Sequence, residues 1–144
     1  QGAQSRHKDV TDPVEVLAAF GGFDIAMMAG AMLVAAGRRH LVMVDGLAAC
    51  AALMVAARIA LAVTDYCVFC RSHGHQGLDV ALNLFHASAL LELGMESTDG
   101  TGATLAWPLL RAAASLLTEV AEGEDPGPSR PGEMHSKLGG LLSR

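Results

Sequence analysis

Aromatic residues and charged residues are both scarce in this chain of 144 residues. Phe, Trp and Tyr together make up 4% of it, and Asp, Glu, Lys and Arg together make up 17%. The core therefore has to be built from Ala, Leu, Val and Met, a composition that suits closely packed helices on a buried sheet. The 10 basic residues form no stripe and are outnumbered by 15 acidic ones, which argues against nucleic-acid binding.

Long uncharged apolar stretches are missing as well, although 51% of the residues are hydrophobic. Arg58 interrupts the apolar run over residues 47–63, and Asp24 interrupts the run over residues 14–36. Charge inside a bilayer is costly, so these runs predict buried protein core and no membrane insertion. The polar N-terminal segment, residues 1–12, does not look like a secretion signal. An odd number of cysteines, three, argues against a disulfide framework and favours a reducing compartment such as the cytoplasm.

Helical and strand-like segments alternate along the chain. The patterns predict helices over residues 13–20, 23–37, 47–62, 78–87 and 102–121, and strands over residues 41–44, 66–70 and 89–93. This order is typical of an α/β domain with a parallel sheet and flanking helices, which we place at residues 13–121. Residues 122–144 are rich in Glu, Pro, Gly and Ser and are predicted to form a disordered tail.

Three loops follow the predicted strands, namely Asp45-Gly46, residues 71–77 and residues 94–102. Ligands of open parallel sheets bind outside the carboxyl ends of the strands, so we expect these loops to meet at one edge and form a site. Asp45 could there order a ribose hydroxyl or could cap the next helix. Asp24, at the start of the second helix, could likewise act as a cap or join a buried pair.

The third loop carries a carboxylate, Asp99, among glycines at the start of the last predicted helix. Gly100 and Gly102 leave room for a ligand beside the backbone, because they have no Cβ. The first turn of the helix would offer free N–H groups to an anion or a reacting polar atom. The simpler interpretation is that Asp99 only caps the helix.

Several segments occur in the order and spacing of a known family. They are GGFDIAMMAGA from Gly21, VDG from Val44, DGTGA from Asp99 and LAWPLL from Leu105. Over about residues 12–120 the chain resembles the C-terminal part of the nicotinate-nucleotide–dimethylbenzimidazole phosphoribosyltransferases. The resemblance implies the C-terminal half of a doubly wound, Rossmann-like sheet, a homodimer and no cofactor. It also implies transfer of phosphoribose from nicotinate mononucleotide to dimethylbenzimidazole, which gives α-ribazole phosphate for the lower ligand of cobalamin.

The family's general base is a glutamate in the loop before the last helix, and the resemblance places Asp99 at that position. A carboxylate there can take the proton that the attacking nitrogen loses. The substrate contacts that we expect are Gly22, Asp24, Asp45, Gly46, Ser72, Gly74, Gly100, Thr101 and Gly102. Of these, Ser72 and Gly74 would contact phosphate or ribose. The family's phosphate-binding Gly-Asn-Thr-Thr segment is absent, so we expect this chain to be a fragment.

A second constellation has metal-like content: Cys67, Cys70, His73 and His75. Zinc takes such ligands, but two cysteines three positions apart on a strand face opposite sides. We therefore predict buried core cysteines and no metal site. The alternative to an enzyme is a non-catalytic α/β domain that binds a nucleotide or a protein partner.

Overall fold

The structure is a computed structural model, and it describes residues 2–95 and 100–122. The chain divides into two compact units, residues 1–109 and residues 110–144. The described elements, in chain order, are helices α1 (Gly2–Arg6), α2 (Pro13–Phe20) and α3 (Phe23–Gly37), strand β1 (Val42–Asp45), helix α4 (Leu47–Ile59), a 3-10 helix (Leu61–Tyr66), strand β2 (Cys67–Cys70), and helices α5 (Gln76–Leu84) and α6 (Thr101–Glu122). In the second unit, the described residues are the last turns of α6, and its side chains over residues 111–119 are exposed.

The two strands are parallel, with Val42 opposite Cys67 and Asp45 opposite Cys70. The chain after α5 then runs along β2, as Leu90 N–H donates to the Phe69 carbonyl at 2.7 Å. Only a parallel bridge between Arg71 and Glu92 forms there, so the strand predicted over residues 89–93 is reduced to an isolated bridge. Parallel strands with flanking helices confirm the predicted α/β class.

Local capping explains where two helices begin. The Asp12 carboxylate accepts the Val14 and Glu15 N–H groups at 2.9 and 3.1 Å, and Pro13 opens α2. At α5, the Nδ1 atom of His75 accepts the Gly77 N–H at 3.0 Å. This imidazole cap starts α5 at Gln76, two residues before the predicted start.

Other predicted bounds are displaced by one to three residues, among them the end of α5, which lies at Leu84 and not at residue 87. Strand β1 ends at Asp45, one residue later than predicted, because Asp45 pairs with Cys70 in the sheet. Helix α4 ends at Ile59, three residues early, and the chain continues as a 3-10 helix that leads into β2.

The core lies where α3 and α4 pack on the sheet. Val44, Leu53 and Leu78 are completely buried. Small side chains on α4, among them Ala52 and Ala56, are buried as well and let the neighbouring elements come close. Among the described helices, none combines the length and the apolar character that crossing a bilayer requires. The predicted tail lies outside the described residues except for the backbone of Glu122.

Leu53→Ala is expected to lower the free energy of unfolding by about 2–5 kcal/mol, because it opens a cavity in the packed core. Leu61→Ala removes the same atoms from a side chain that is 75% exposed, so it should change that free energy by less than about 0.5 kcal/mol. Urea unfolding of both variants, followed by circular dichroism, measures the difference. Equal losses in the two variants would contradict this assignment of the core.

Candidate active site

A buried carboxylate ends the first strand. Asp45 is only 9% exposed, and its oxygens accept hydrogen bonds from two other segments. Oδ1 accepts the Ser72 N–H at 3.0 Å, while Oδ2 accepts the Ser72 hydroxyl at 2.5 Å and the Ala103 N–H at 3.2 Å. Three donors around one carboxylate compensate for the cost of burying its charge.

Ser72 connects the same loops from the end of β2. Its side chain is completely buried, and its hydroxyl oxygen also accepts the Gly102 N–H at 2.8 Å. Its carbonyl accepts the Met95 N–H at 2.9 Å. The three loops predicted to meet at the carboxyl edge of the sheet therefore do meet, and Ser72 touches both of the others.

These bonds change the role expected of the start of α6. The N–H groups of Gly102 and Ala103 belong to its first turn, which leaves such groups without helical partners. Here Ser72 and Asp45 already occupy them, so these two donors are not free for a substrate anion as the sequence suggested. The suggestion that Asp45 caps its own following helix is wrong as well, because α4 begins after Gly46 without a side-chain cap.

Glycine is required at the contact between α6 and the two polar side chains. A Cβ on Gly102 would lie 2.7 Å from Ser72 Oγ and 2.9 Å from Asp45 Oδ2, closer than such atoms approach. Gly46 and Gly100 have φ angles of +89° and +83°, a region that other residues rarely adopt. Side-chain contact therefore explains the glycine at Gly102, and backbone conformation explains those at Gly46 and Gly100.

The remaining predicted site residues are placed less centrally. Gly22 is the N-cap of α3, and Asp24 is exposed in its first turn. Gly74 is exposed in the loop between β2 and α5, and Thr101 begins α6. Asp99, the predicted general base, lies outside the described residues, immediately before Gly100.

A cavity of about 730 Å³ opens beside Asp45 and Gly46. Its walls are mostly apolar side chains of α2 and α4, including Val16, Leu17, Phe20, Leu47, Ala51, Met54 and Val55. The polar lining comes from Asp45, His73 and His75. A largely apolar cleft with a few convergent polar groups is the usual form of a small-molecule site.

His73 is the functional candidate that the sequence interpretation missed. Its Nδ1 atom is buried and has no hydrogen-bond partner within residues 2–95 and 100–122, a state that costs about 1–3 kcal/mol for a polar group. The available signal was its position in the loop after β2, between Ser72 and Gly74. The sequence analysis considered His73 only as a possible metal ligand and expected its neighbours Ser72 and Gly74 to contact phosphate or ribose.

The metal alternative gains no support from the described residues, in which no group of three or more His, Cys, Asp or Glu side chains could hold an ion. The Cys67 thiol instead donates to the Val63 carbonyl at 3.3 Å, and Cys70 is buried. Burial raises the pKa of Cys67 to about 11. Burial, with the negative charges of Asp45 and Cys67 as smaller causes, raises the pKa of Cys50 to about 11.

Comparison with known proteins identifies the family of this chain. A family model described as phosphoribosyltransferase matches residues 1–127. The chain belongs to this phosphoribosyltransferase family. It is 50% identical over 120 residues to the nicotinate-nucleotide–dimethylbenzimidazole phosphoribosyltransferase of Cupriavidus taiwanensis, a match that covers 83% of this chain and 35% of that protein. It is 44% identical over 127 residues to the enzyme of the same name from Shewanella sediminis, covering 88% of this chain and 37% of the relative.

Solved structures agree with the sequence relatives. A crystal structure of the enzyme of this name from Thermus thermophilus superposes with a TM-score of 0.74 at 31% identity and covers 80% of this chain and 35% of that one. A second, described as CobT from the same organism, gives a TM-score of 0.75 at 30% identity and covers 87% and 38%. The resemblance seen in the sequence is confirmed. The chain spans only about a third of the length of these phosphoribosyltransferases.

Gly102→Ala is expected to lower the free energy of unfolding by about 1–3 kcal/mol, because the new methyl group has to displace Ser72 or Asp45. Gly30→Ala is the matched control, since Gly30 lies inside α3 with nothing within 4 Å of an added Cβ. The control should be neutral or gain up to about 1 kcal/mol from helix propensity. Chemical denaturation measures both, and a destabilised control with an unaffected Gly102 variant would refute the close contact.

Alkaline pH should destabilise the fold through its buried thiols. The pKa values of Cys50 and Cys67 are raised from 9.0 to about 11 in the folded state, so unfolding favours the thiolates. Their contribution to stability is complete below pH 9 and is lost as the pH rises toward about 11. Urea unfolding under reducing conditions, at about pH 8 and about pH 10.5, should show a smaller loss in a Cys50→Ala/Cys67→Ala variant than in the parent. The same loss in both proteins would contradict the assignment.

Proposed function

We propose that the protein to which this chain belongs transfers phosphoribose from nicotinate mononucleotide to 5,6-dimethylbenzimidazole. The bond between the anomeric carbon and the nicotinate nitrogen breaks, and a benzimidazole nitrogen bonds to that carbon with inversion. Nicotinate leaves with the bonding electron pair, the benzimidazole gives up its N–H proton, and α-ribazole phosphate is formed. The relatives bear the name of this activity.

One structural observation supports the proposal in addition to the family relationship. The Gly102 N–H donates to Ser72 and the Ala103 N–H donates to Asp45, and these two bonds hold the start of α6 against the carboxyl ends of β1 and β2. Asp99 immediately precedes that anchored turn in the chain. Reacting groups have to be held within a fraction of an ångström to be effective, and this anchor provides such a support.

Asp99 is proposed as the general base that takes the benzimidazole proton. A carboxylate within hydrogen-bond reach of the ring N–H can take that proton while the other ring nitrogen, which has a free lone pair, bonds to the anomeric carbon. The family has glutamate at this position, so the aspartate arm is one methylene shorter.

The other predicted site residues fall into three groups, apart from Gly102, whose N–H donates to the Ser72 hydroxyl oxygen. Asp45 and Ser72 use their hydrogen-bonding groups within the protein, which supports a positioning role for both. Gly46, Gly74, Gly100 and Thr101 lie on the loops or helix start at this edge and remain proposed substrate contacts. Gly22 and Asp24 are proposed contacts at the start of α3.

The rest of the machinery is assigned to the part of the family's length that this chain does not span. We propose that the phosphate-binding Gly-Asn-Thr-Thr segment of the family completes the site there. A cytoplasmic homodimer without metal or cofactor is also part of the proposal. The second candidate, a non-catalytic binding domain, is favoured only by exposed apolar side chains such as Phe23 and Met27, at 96% and 74%.

A chimera tests the activity. The matching segment of this chain replaces the corresponding third of the Cupriavidus taiwanensis relative, and release of nicotinate is followed with both substrates present. The chimera should be active, and Asp99→Asn within it should lower kcat by about 100-fold or more while substrate binding, measured by calorimetry, persists. Asp99→Glu should retain activity, since it restores the family's residue.

Asp65→Asn in the same chimera is the control, because Asp65 is an exposed carboxylate in the 3-10 helix. It should leave kcat unchanged. If the Asp99→Asn chimera turns over as fast as its parent, Asp99 is not the base. If the folded parent chimera binds neither substrate, the non-catalytic candidate is correct.

A further inference from the structure

Three segments of the fold are joined at Arg71. It follows β2 directly, and its backbone pairs with the chain after α5: its N–H donates to the Leu91 carbonyl at 2.8 Å, and its carbonyl accepts the Leu93 N–H at 2.7 Å. Its guanidinium lies 2.7 Å from a carboxylate oxygen of Asp79, in the first turn of α5, and 3.7 Å from one of Glu92. The end of β2, the start of α5 and the segment after α5 therefore meet at one side chain.

Both ion pairs that form within residues 2–95 and 100–122 use the guanidinium of Arg71. The side chains of Asp79 and Glu92 are 46% and 63% exposed, so each pair should add little to the free energy of unfolding, because water and salt weaken exposed pairs. The planar guanidinium presents its N–H groups in fixed directions. The pairs therefore set the positions of two segments relative to β2 more than they stabilise the fold.

The loop between β2 and α5 starts at Ser72, the residue after Arg71, and the ion pair to α5 closes this loop. A Cβ built on Gly74, in the middle of the loop, would meet the guanidinium of Arg71 at 4.0 Å. Ser72 donates its N–H and its hydroxyl to Asp45, and its hydroxyl oxygen accepts the Gly102 N–H. The side chain of Arg71 thus holds the loop whose first residue supports the start of α6.

We propose that Arg71 is a positioning residue for the transfer reaction. It holds Ser72 in place, and Ser72 holds the start of α6, which the proposed base, Asp99, precedes in the chain. The inference rests on the proposed function for the role of Asp99. A displacement of reacting groups by about 1 Å can cost about a hundredfold in rate, so a partial loss of this support should lower kcat measurably.

The chimera with the Cupriavidus taiwanensis relative tests this role through Arg71→Met, which removes the charge and keeps an unbranched side chain. Its kcat should fall about tenfold, while KM for nicotinate mononucleotide changes by less than about threefold, because the base acts in the chemical step. Arg71→Lys keeps the charge and should recover part of kcat. In an Asp99→Asn background, Arg71→Met should lower kcat no further, since Arg71 acts through Asp99.

Asp79→Asn identifies the contact responsible. It should also lower kcat, and the double variant with Arg71→Met should lose no more than Arg71→Met alone, because both changes break one ion pair. Arg38→Met is the matched control, since Arg38 is exposed at the end of α3, and its kcat should equal that of the parent. An unchanged kcat in folded Arg71→Met overturns the inference, and so does an equal loss with and without Asp99→Asn.

Hydrogen exchange in the 144-residue chain gives a readout that needs no activity. In Arg71→Met, the N–H groups of Ser72 and Gly102 should exchange about tenfold faster, whereas that of Leu53, within α4, should exchange at the parent's rate. Equal acceleration at all three amides would show a general loss of stability and overturn the positioning role, as would unchanged exchange at Ser72 and Gly102. Circular dichroism verifies folding, and Asp79→Asn decides both measurements if Arg71→Met is unfolded.

The two proposals can fail separately. Faster exchange confined to Ser72 and Gly102, together with an inactive parent chimera, would support the hold of Arg71 on the start of α6 and refute the transferase. An active parent chimera whose kcat survives Arg71→Met would support the transferase and refute the role of Arg71.

Discussion

The carboxylate of Asp45 is the constraint on which the edge of the sheet depends. A buried anion is tolerated only where donors surround it, and here the donors come from Ser72 and Ala103. Those partners lie 27 and 58 residues further along the chain. The hydrogen bonds to Asp45, at the end of β1, therefore fix the positions of the loop that contains Ser72 and of the start of α6. The cost of burying the charge becomes a reason for three loops to stay together.

This arrangement divides the work between residues. Asp45 and Ser72 accept the backbone N–H groups in the first turn of α6. An N-cap residue usually does this from the position just before a helix, but here the acceptors come from distant parts of the chain. Because their polar groups are occupied, they hold the edge of the sheet in place. The proposed base, Asp99, comes just before this anchored turn in the chain, and His73 lies in the cavity wall beside Asp45. A precise site needs residues that hold its framework in place as well as residues that contact the ligand.

Much of the helical framework could be predicted from local signals. Asp12 and Pro13 marked the start of α2, and the Gly21-Gly22 break marked the start of α3, because capping and chain-breaking are decided within a few residues. The strand bounds were less predictable. Asp45 extends β1 only because Cys70 is its partner, and the segment after α5 reaches the sheet through a few bonds without becoming a full strand.

The sequence by itself determined the α/β class, the family, and the convergence of three loops at one edge, because periodicity and short motifs record local geometry and chirality fixes how parallel strands connect. Only the tertiary structure decided that Asp45 caps α6 and not α4, that Gly102 is there to admit two side chains, and that His73 Nδ1 is buried with no partner in the described part of the chain. Each of these depends on atoms brought together from distant parts of the chain. The sequence around Asp45 does not show which distant N–H groups will donate to its carboxylate, because those groups come close only when the chain folds.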